Sequence, residues 1–181
     1  MHTPHLFRVV FKGNLKRLPR VLSPDEKREM LRHTLATLAY RGGKAVRGAP
    51  ESFASFRVNE STRTPAEILA HVCDLLDWAH NLARGSDTGQ NSTPLPWEEE
   101  VSRFFTELEK LDSYLASDSP LGSPAEKLFQ GPIADALTHV GQISLLRRMA
   151  GAPVRGENYF KADIEAGRVG PEQSAPRREF D

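Results

Sequence analysis

The chain of 181 residues contains one cysteine, Cys73. A single thiol excludes an internal disulfide and suits a reducing cytoplasm. Net charge is missing as well, since Lys+Arg and Asp+Glu both number 24. A general nucleic-acid binder needs a basic excess to displace counterions from phosphates, so no nucleic-acid partner is expected. No apolar run approaches the length of a membrane span, and no membrane partner is expected either. The first residues lack the unbroken apolar core and small-residue cleavage site of a signal peptide. What remains is a length sufficient for one domain, with 39% apolar and 27% charged residues, ordinary for a soluble globular protein.

Charge is nevertheless uneven along the chain. Arg8, Lys12, Lys16, Arg17 and Arg20 all precede the first acidic residue, Asp25. Between them Leu6, Phe7, Val10, Phe11, Leu15 and Leu18 recur roughly at helical spacing. The expectation is an N-terminal arm over residues 1–22 that packs on the main body, with a membrane-surface or transit helix as the alternative.

Three local signatures have one form: Ser23-Pro24-Asp25-Glu26, Thr64-Pro65-Ala66-Glu67 and Ser123-Pro124-Ala125-Glu126. Each sets a hydroxyl before a proline and a glutamate three residues after the hydroxyl. In a capping box the hydroxyl accepts from an otherwise unpaired amide and the glutamate reaches back to the cap residue. The first helix then carries Leu31, Leu35, Leu38, Gly42 and Val46 on one face. The pair Gly42-Gly43 either ends it or, if the helix continues, lets a neighbour approach closely. The second runs from Thr64 to about Arg84, with Ile68, Val72, Leu75, Leu76, Ala79 and Leu82 inward and Gly85 as its C-terminal cap. The third begins near Pro96 and carries Trp97, Val101, Phe104, Phe105, Leu108, Leu111 and Leu115. Its acidic run, Glu98 to Glu100, reads as a solvated first turn favoured by the helix dipole.

A short capped helix starts at Ser123, and Gly131-Pro132 interrupts it and restarts the fourth long helix. Past Gly151 the chain turns to Pro, Gly, Arg and Glu without period, and no run reads as a strand. The fold class expected is all-α: a four-helix bundle over residues 23–150, with the N-terminal arm and an extended C-terminal tail over residues 151–181, partly ordered by its aromatics.

Of six histidines, His2 and His5 lie in the arm, His33 opposite the apolar stripe, and His80 on a polar side with Asp77. His71 and His139 differ, because each stands at the edge of an apolar face on a separate long helix. Asp135 precedes His139 by four residues on the same face, and Gln142 follows it by three. Two imidazoles and a carboxylate with open positions suit Zn²⁺, Ni²⁺ or Fe²⁺ and leave room for water or substrate. Each has a plainer reading: a satisfied core histidine, or an acid favoured by the dipole in a first helical turn. Glu67 is another conceivable carboxylate, already used by its capping box. Asp74 and Gln142 are candidates to orient the ligands from behind.

The pairing of LAHVCDLLDWA in the second helix with ALTHVGQISLLRR in the fourth resembles the DinB-type metal-binding four-helix bundle, the DinB/YfiT-like fold. In that family one histidine comes from the second helix and an H-x-x-x-H pair from the fourth. His71 matches the first and His139 the second member of the pair. The first member falls at Asp135, a carboxylate in place of an imidazole. The resemblance covers about Ser23 to Ala150. It implies a dimeric bundle of up-and-down type with a long second crossover, binding a divalent metal. Better understood relatives are thiol-dependent transferases and an isomerase.

Two readings follow. In the first the chain is a metal-dependent enzyme, a thiol-dependent transferase or a hydrolase, with His71, Asp135 and His139 as ligands, a small-molecule substrate and a low-molecular-weight thiol as a further cofactor. In the second it is a non-catalytic helical module serving in stress response, binding or dimerisation. The fourth helix carries Ile133, Ala136, Leu137, Val140, Ile143, Leu145, Leu146 and Met149, an arc wide enough to predict a homodimer. Tyr159 and Arg155 either close over the site or lie in a surface-packed arm.

Overall fold

The computed structural model describes residues 22–180. The basic arm, Leu22 apart, therefore lies outside the described residues. The elements are α1 (Pro24–Val46), a 3₁₀ turn (Glu51–Phe53), α2 (Pro65–Ala83), α3 (Trp97–Ala116), α4 (Ala125–Leu128), a kinked π segment (Phe129–Ile133), α5 (Ala134–Met149), β1 (Gly156–Glu157), a second 3₁₀ turn (Tyr159–Lys161) and β2 (Glu179–Phe180). The fold is all-α, with one two-residue antiparallel pair in the tail.

Two of the three capping boxes form as the spacing requires. The Glu26 amide donates to Ser23 Oγ at 3.2 Å while the Ser23 amide donates to the Glu26 carboxylate at 2.8 Å. Thr64 and Glu67 repeat the exchange at 3.2 and 2.6 Å. The third does not form. The cap of α4 is Pro124, with no side-chain hydrogen bond, and Glu126 instead pairs with Lys27 of α1 at 2.6 Å. A four-residue helix leaves its carboxylate free to choose a cation on the neighbouring helix over its own amides. At the other end of α2, Gly85 adopts φ +88°, the Gly85 amide donates to Leu82 O and the Ser86 amide to Asn81 O, which closes the helix in a Schellman motif.

α1 runs unbroken through Gly42-Gly43. A Cβ on Gly42 would lie 2.5 Å from Phe104 Cζ, so the bare glycine admits the buried ring of α3. α1 packs chiefly on α3 and α5, and so does α2. The four helices therefore enclose one core, in which Leu35, Leu38, Leu69, Leu76, Leu108 and Ile143 are fully buried.

The acidic start of α3 differs from its expected solvated state. Glu98 and Glu99 are exposed, but Glu100 is fully buried, accepting from the Leu95 amide at 2.9 Å and from Arg103 at 3.0 Å. Arg103 also reaches buried Asp74 of α2, which accepts from the amide and hydroxyl of Ser92 at 2.7 and 2.8 Å. A buried carboxylate survives only when paired and hydrogen-bonded, and this network supplies both. It ties the loop between α2 and α3 to the core.

The tail is ordered by a charge more than by its rings. Glu157 is buried and accepts from Tyr40 Oη at 2.8 Å and Lys44 Nζ at 2.9 Å, while Lys44 also pairs with Glu179 at 2.6 Å. Tyr159 meets Tyr40 edge-on at 6.2 Å and lies under Arg41, whereas Phe160 is exposed. The β1–β2 pair holds this clasp together, a strand that the aperiodic tail sequence does not announce.

Candidate metal centre

α2 carries His71 at the edge of its buried face, and α5 carries Asp135 and His139 one turn apart. Where the two helices pack, the three side chains meet. His71 Nε2 lies 3.7 Å from Asp135 Oδ2, and His139 Nε2 lies 3.4 Å from Asp135 Oδ1. The imidazoles cross edge-on with centroids 4.8 Å apart. One donor atom from each residue falls within 4.8 Å of the other two. Bonds of about 2 Å to a tetrahedral ion separate neighbouring donors by roughly 3.3 Å, so the Asp135 contacts stand near that spacing while the widest pair must close by up to about 1.5 Å to hold a divalent cation.

Protonation favours the same use. Burial, then the neighbouring His139 and then Arg63, hold the His71 imidazolium below its ordinary pKa, against the pull of Asp135 and Asp74. A neutral imidazole keeps a lone pair for a metal and has little to gain as a cationic partner of Asp135. On His139 the Nδ1 atom faces the Gln142 amide oxygen at 2.9 Å. With that oxygen as acceptor the proton sits on Nδ1, and the Nε2 lone pair turns toward Asp135. His139 is largely covered, with 14% of its side chain exposed, whereas Asp135 is 48% exposed and keeps the cluster open to solvent.

A break in the helix shapes one wall. Gly131 leaves helical geometry at φ −89°, ψ −107°, so the chain kinks between two helices before α5, with Pro132 buried behind the kink. Such kinks re-aim the residues that follow. Beside them a cleft of about 450 Å³ is lined by Leu75, Trp78, Gly131, Ala134 and Asp135. On the other flank a polar cleft of about 190 Å³ is lined by Arg63, Glu67, His71, Asn91 and Ser92. A further cavity of about 610 Å³ lies between α1 and the α4–π segment and contains none of the three candidate ligands. Its charged members Lys27 and Glu126 are already paired, so it offers no comparable chemistry.

The structure thus brings His71, Asp135 and His139 together and sets Gln142 behind His139. Asp74 does not reach the cluster's ligands; it holds Arg103 and Ser92. Glu67 borders the polar cleft, but its carboxylate serves Thr64 and Arg57. Tyr159 and Arg155 are engaged with α1 and Glu179, and no tail residue lines either cleft. His80 packs edge-on against Tyr114 at 5.8 Å. Cys73 is fully buried, and burial, reinforced by Glu100, pushes its thiol well above the ordinary range, which removes it as a nucleophile. Sequence reasoning passed over Arg63, eight residues before His71, because nothing local marks it. Trp78 carried a signal: it follows His71 by seven residues, two turns along the same helix.

No protein-family model, curated protein or solved structure matches this chain.

Proposed function

We propose that His71, Asp135 and His139 hold one divalent ion, Zn²⁺, Ni²⁺ or Fe²⁺, and that the protein is a metal-dependent enzyme acting on a small molecule as a thiol-dependent transferase or a hydrolase. The observation that carries this reading is the meeting of two Nε2 atoms and a carboxylate from separate helices, open to solvent on the Asp135 side. The likeness of α2 and α5 to the DinB-type proteins points the same way. A bound divalent ion supplies Lewis acidity to a thiol or water. Gln142 keeps His139 in the tautomer that presents Nε2, and the flanking clefts receive the substrate. Because Cys73 is sealed in the core, thiol chemistry here requires a low-molecular-weight thiol from solution.

One observation favours the competing reading, a non-catalytic module for stress response, binding or dimerisation: a carboxylate stands at 135 where the family places an imidazole. Metal content separates the two. Elemental analysis of protein purified without an affinity tag is expected to give near-stoichiometric Zn, Ni or Fe, lost in His71→Ala. Trace metal alone, unchanged by that substitution, rejects the metal centre. We also propose a homodimer: Ala136, Val140, Ile143 and Leu146 of α5, with Ile133 just before it, face the core, while Leu145 and Met149, each at least half exposed, await cover.

A further inference from the structure

We infer that the centre receives a small carboxylate with an apolar body, the carboxylate held by Arg63 and the body by Leu75 and Trp78. This rests on the reading of the His71–Asp135–His139 cluster as the reaction centre and names what that centre takes.

The two clefts flank the cluster and differ in chemistry. His71 borders the polar one and Asp135 the apolar one, so each cleft shares one candidate ligand of the cluster. In the polar cleft Arg63 forms no hydrogen bond or ion pair with any described residue. The carboxylate beside it cannot neutralise it, since Glu67 is bound to the Thr64 amide and to Arg57. Ser92 is spent in the same way, with amide and hydroxyl both given to Asp74. The cleft therefore presents one uncommitted guanidinium and no uncommitted acid. A guanidinium fork matches a carboxylate with two parallel donors.

The apolar wall is held in place before any ligand arrives. The Trp78 indole N–H donates to Asp87 at 2.9 Å, and a Cβ on Gly89 would touch the ring at 3.6 Å, which seats the loop behind it. Leu75 lies one turn earlier on α2 and is buried. A rigid aromatic face with its polar atom already satisfied binds apolar or aromatic groups at low entropic cost. Charge adds to the preference: a divalent ion with two neutral imidazoles and one carboxylate keeps net positive charge, and Arg63 adds another.

Calorimetric titration tests this with phenylacetate and its uncharged counterpart 2-phenylethanol, on protein as purified with its metal content measured in parallel. Arg63→Gln is expected to weaken phenylacetate about three- to tenfold, the span between exposed ion pairs and charge-assisted hydrogen bonds, and to leave 2-phenylethanol and metal content unchanged. Trp78→Leu is expected to weaken both probes. Phenylacetate bound equally by wild type and Arg63→Gln, or not bound at millimolar concentration, overturns the inference, as does an equal loss of both probes in Arg63→Gln. Wild-type protein without metal refutes the metal centre alone, because the Arg63 dependence is read without the ion.

Discussion

Gln142 is the sharpest place to separate a metal site from a chance meeting of polar side chains. Its amide oxygen lies 2.9 Å from His139 Nδ1, one turn along α5, and with that oxygen as acceptor the ring proton sits on Nδ1. Gln142→Leu removes the acceptor without changing the ligands. The proton is then free to move to Nε2, and the ring is free to rotate. Loss of such a partner costs about 10–100-fold in metal affinity, or about 1.4–2.7 kcal/mol. Gln142 is exposed, so water can replace it in part, and the lower end of that range is expected. The same exposure makes the change nearly silent for folding, within about 0.5 kcal/mol. Gln142→Glu keeps an acceptor and adds charge behind the ring, so its affinity should equal or exceed that of wild type. Competition with a chromophoric zinc chelator reads the affinity, and urea unfolding of metal-free protein reads the stability. Equal zinc affinity in wild type and Gln142→Leu would show that His139 is not a ligand held through Nδ1. Weaker zinc binding accompanied by an equal loss of fold stability would assign Gln142 to the helix instead.

Asp135→Asn is expected to lower zinc affinity at least about tenfold, with Asp135→His retaining it; unchanged affinity in Asp135→Asn would make the carboxylate a first-turn residue worth only about 0.3–1 kcal/mol to the helix. Gly42→Ala drives a methyl into Phe104, 2.5 Å from Cζ, and overpacking of about 1–3 kcal/mol should outweigh the roughly 1 kcal/mol gained in helix propensity; a higher unfolding midpoint would refute the close approach of α1 and α3. For Glu157, burial pushes the carboxyl up, but hydrogen bonds from Lys44 and Tyr40 outweigh it and leave the folded-state pKa below 4.5, while Lys44 is raised above 10.5. The clasp is thus at full strength between those values, and its contribution is lost as pH falls below 4.5 through the folded pKa of Glu157. Glu157→Gln should cost about 1.5–3 kcal/mol near neutral pH and abolish that acid limb, read by urea unfolding at several pH values. Light scattering at micromolar concentration should return a dimer mass for the wild type and a monomer mass for Leu145→Glu, and a wild-type monomer would refute the proposed use of that face.

The helices were legible because their causes are local. Ser23-x-x-Glu26 and Thr64-x-x-Glu67 need only one turn of chain to close their boxes, and the stripes on α1, α2 and α3 need only the helical period. The same locality set the limit at Ser123, where the written signature lost Glu126 to Lys27, nearly a hundred residues earlier in the chain. His71, Asp135 and His139 were recognisable as edge residues of suitable type, yet 64 positions separate Asp135 from His71, and only the packing of α2 on α5 brings their atoms within 3.7 Å. Charges were the least legible. Glu100 sits in an acidic run that reads as solvated, but the loop before α3 folds over it and Arg103 compensates it. Glu157 lies in a tail without period and becomes its anchor because Tyr40 and Lys44 of α1 face it. Arg63 shares a cleft with Glu67, whose carboxylate is held by Arg57 and Thr64. Composition and period decide which residues are apolar and helical; which carboxylate meets which cation depends on partners distant in sequence, and tertiary packing alone selects them.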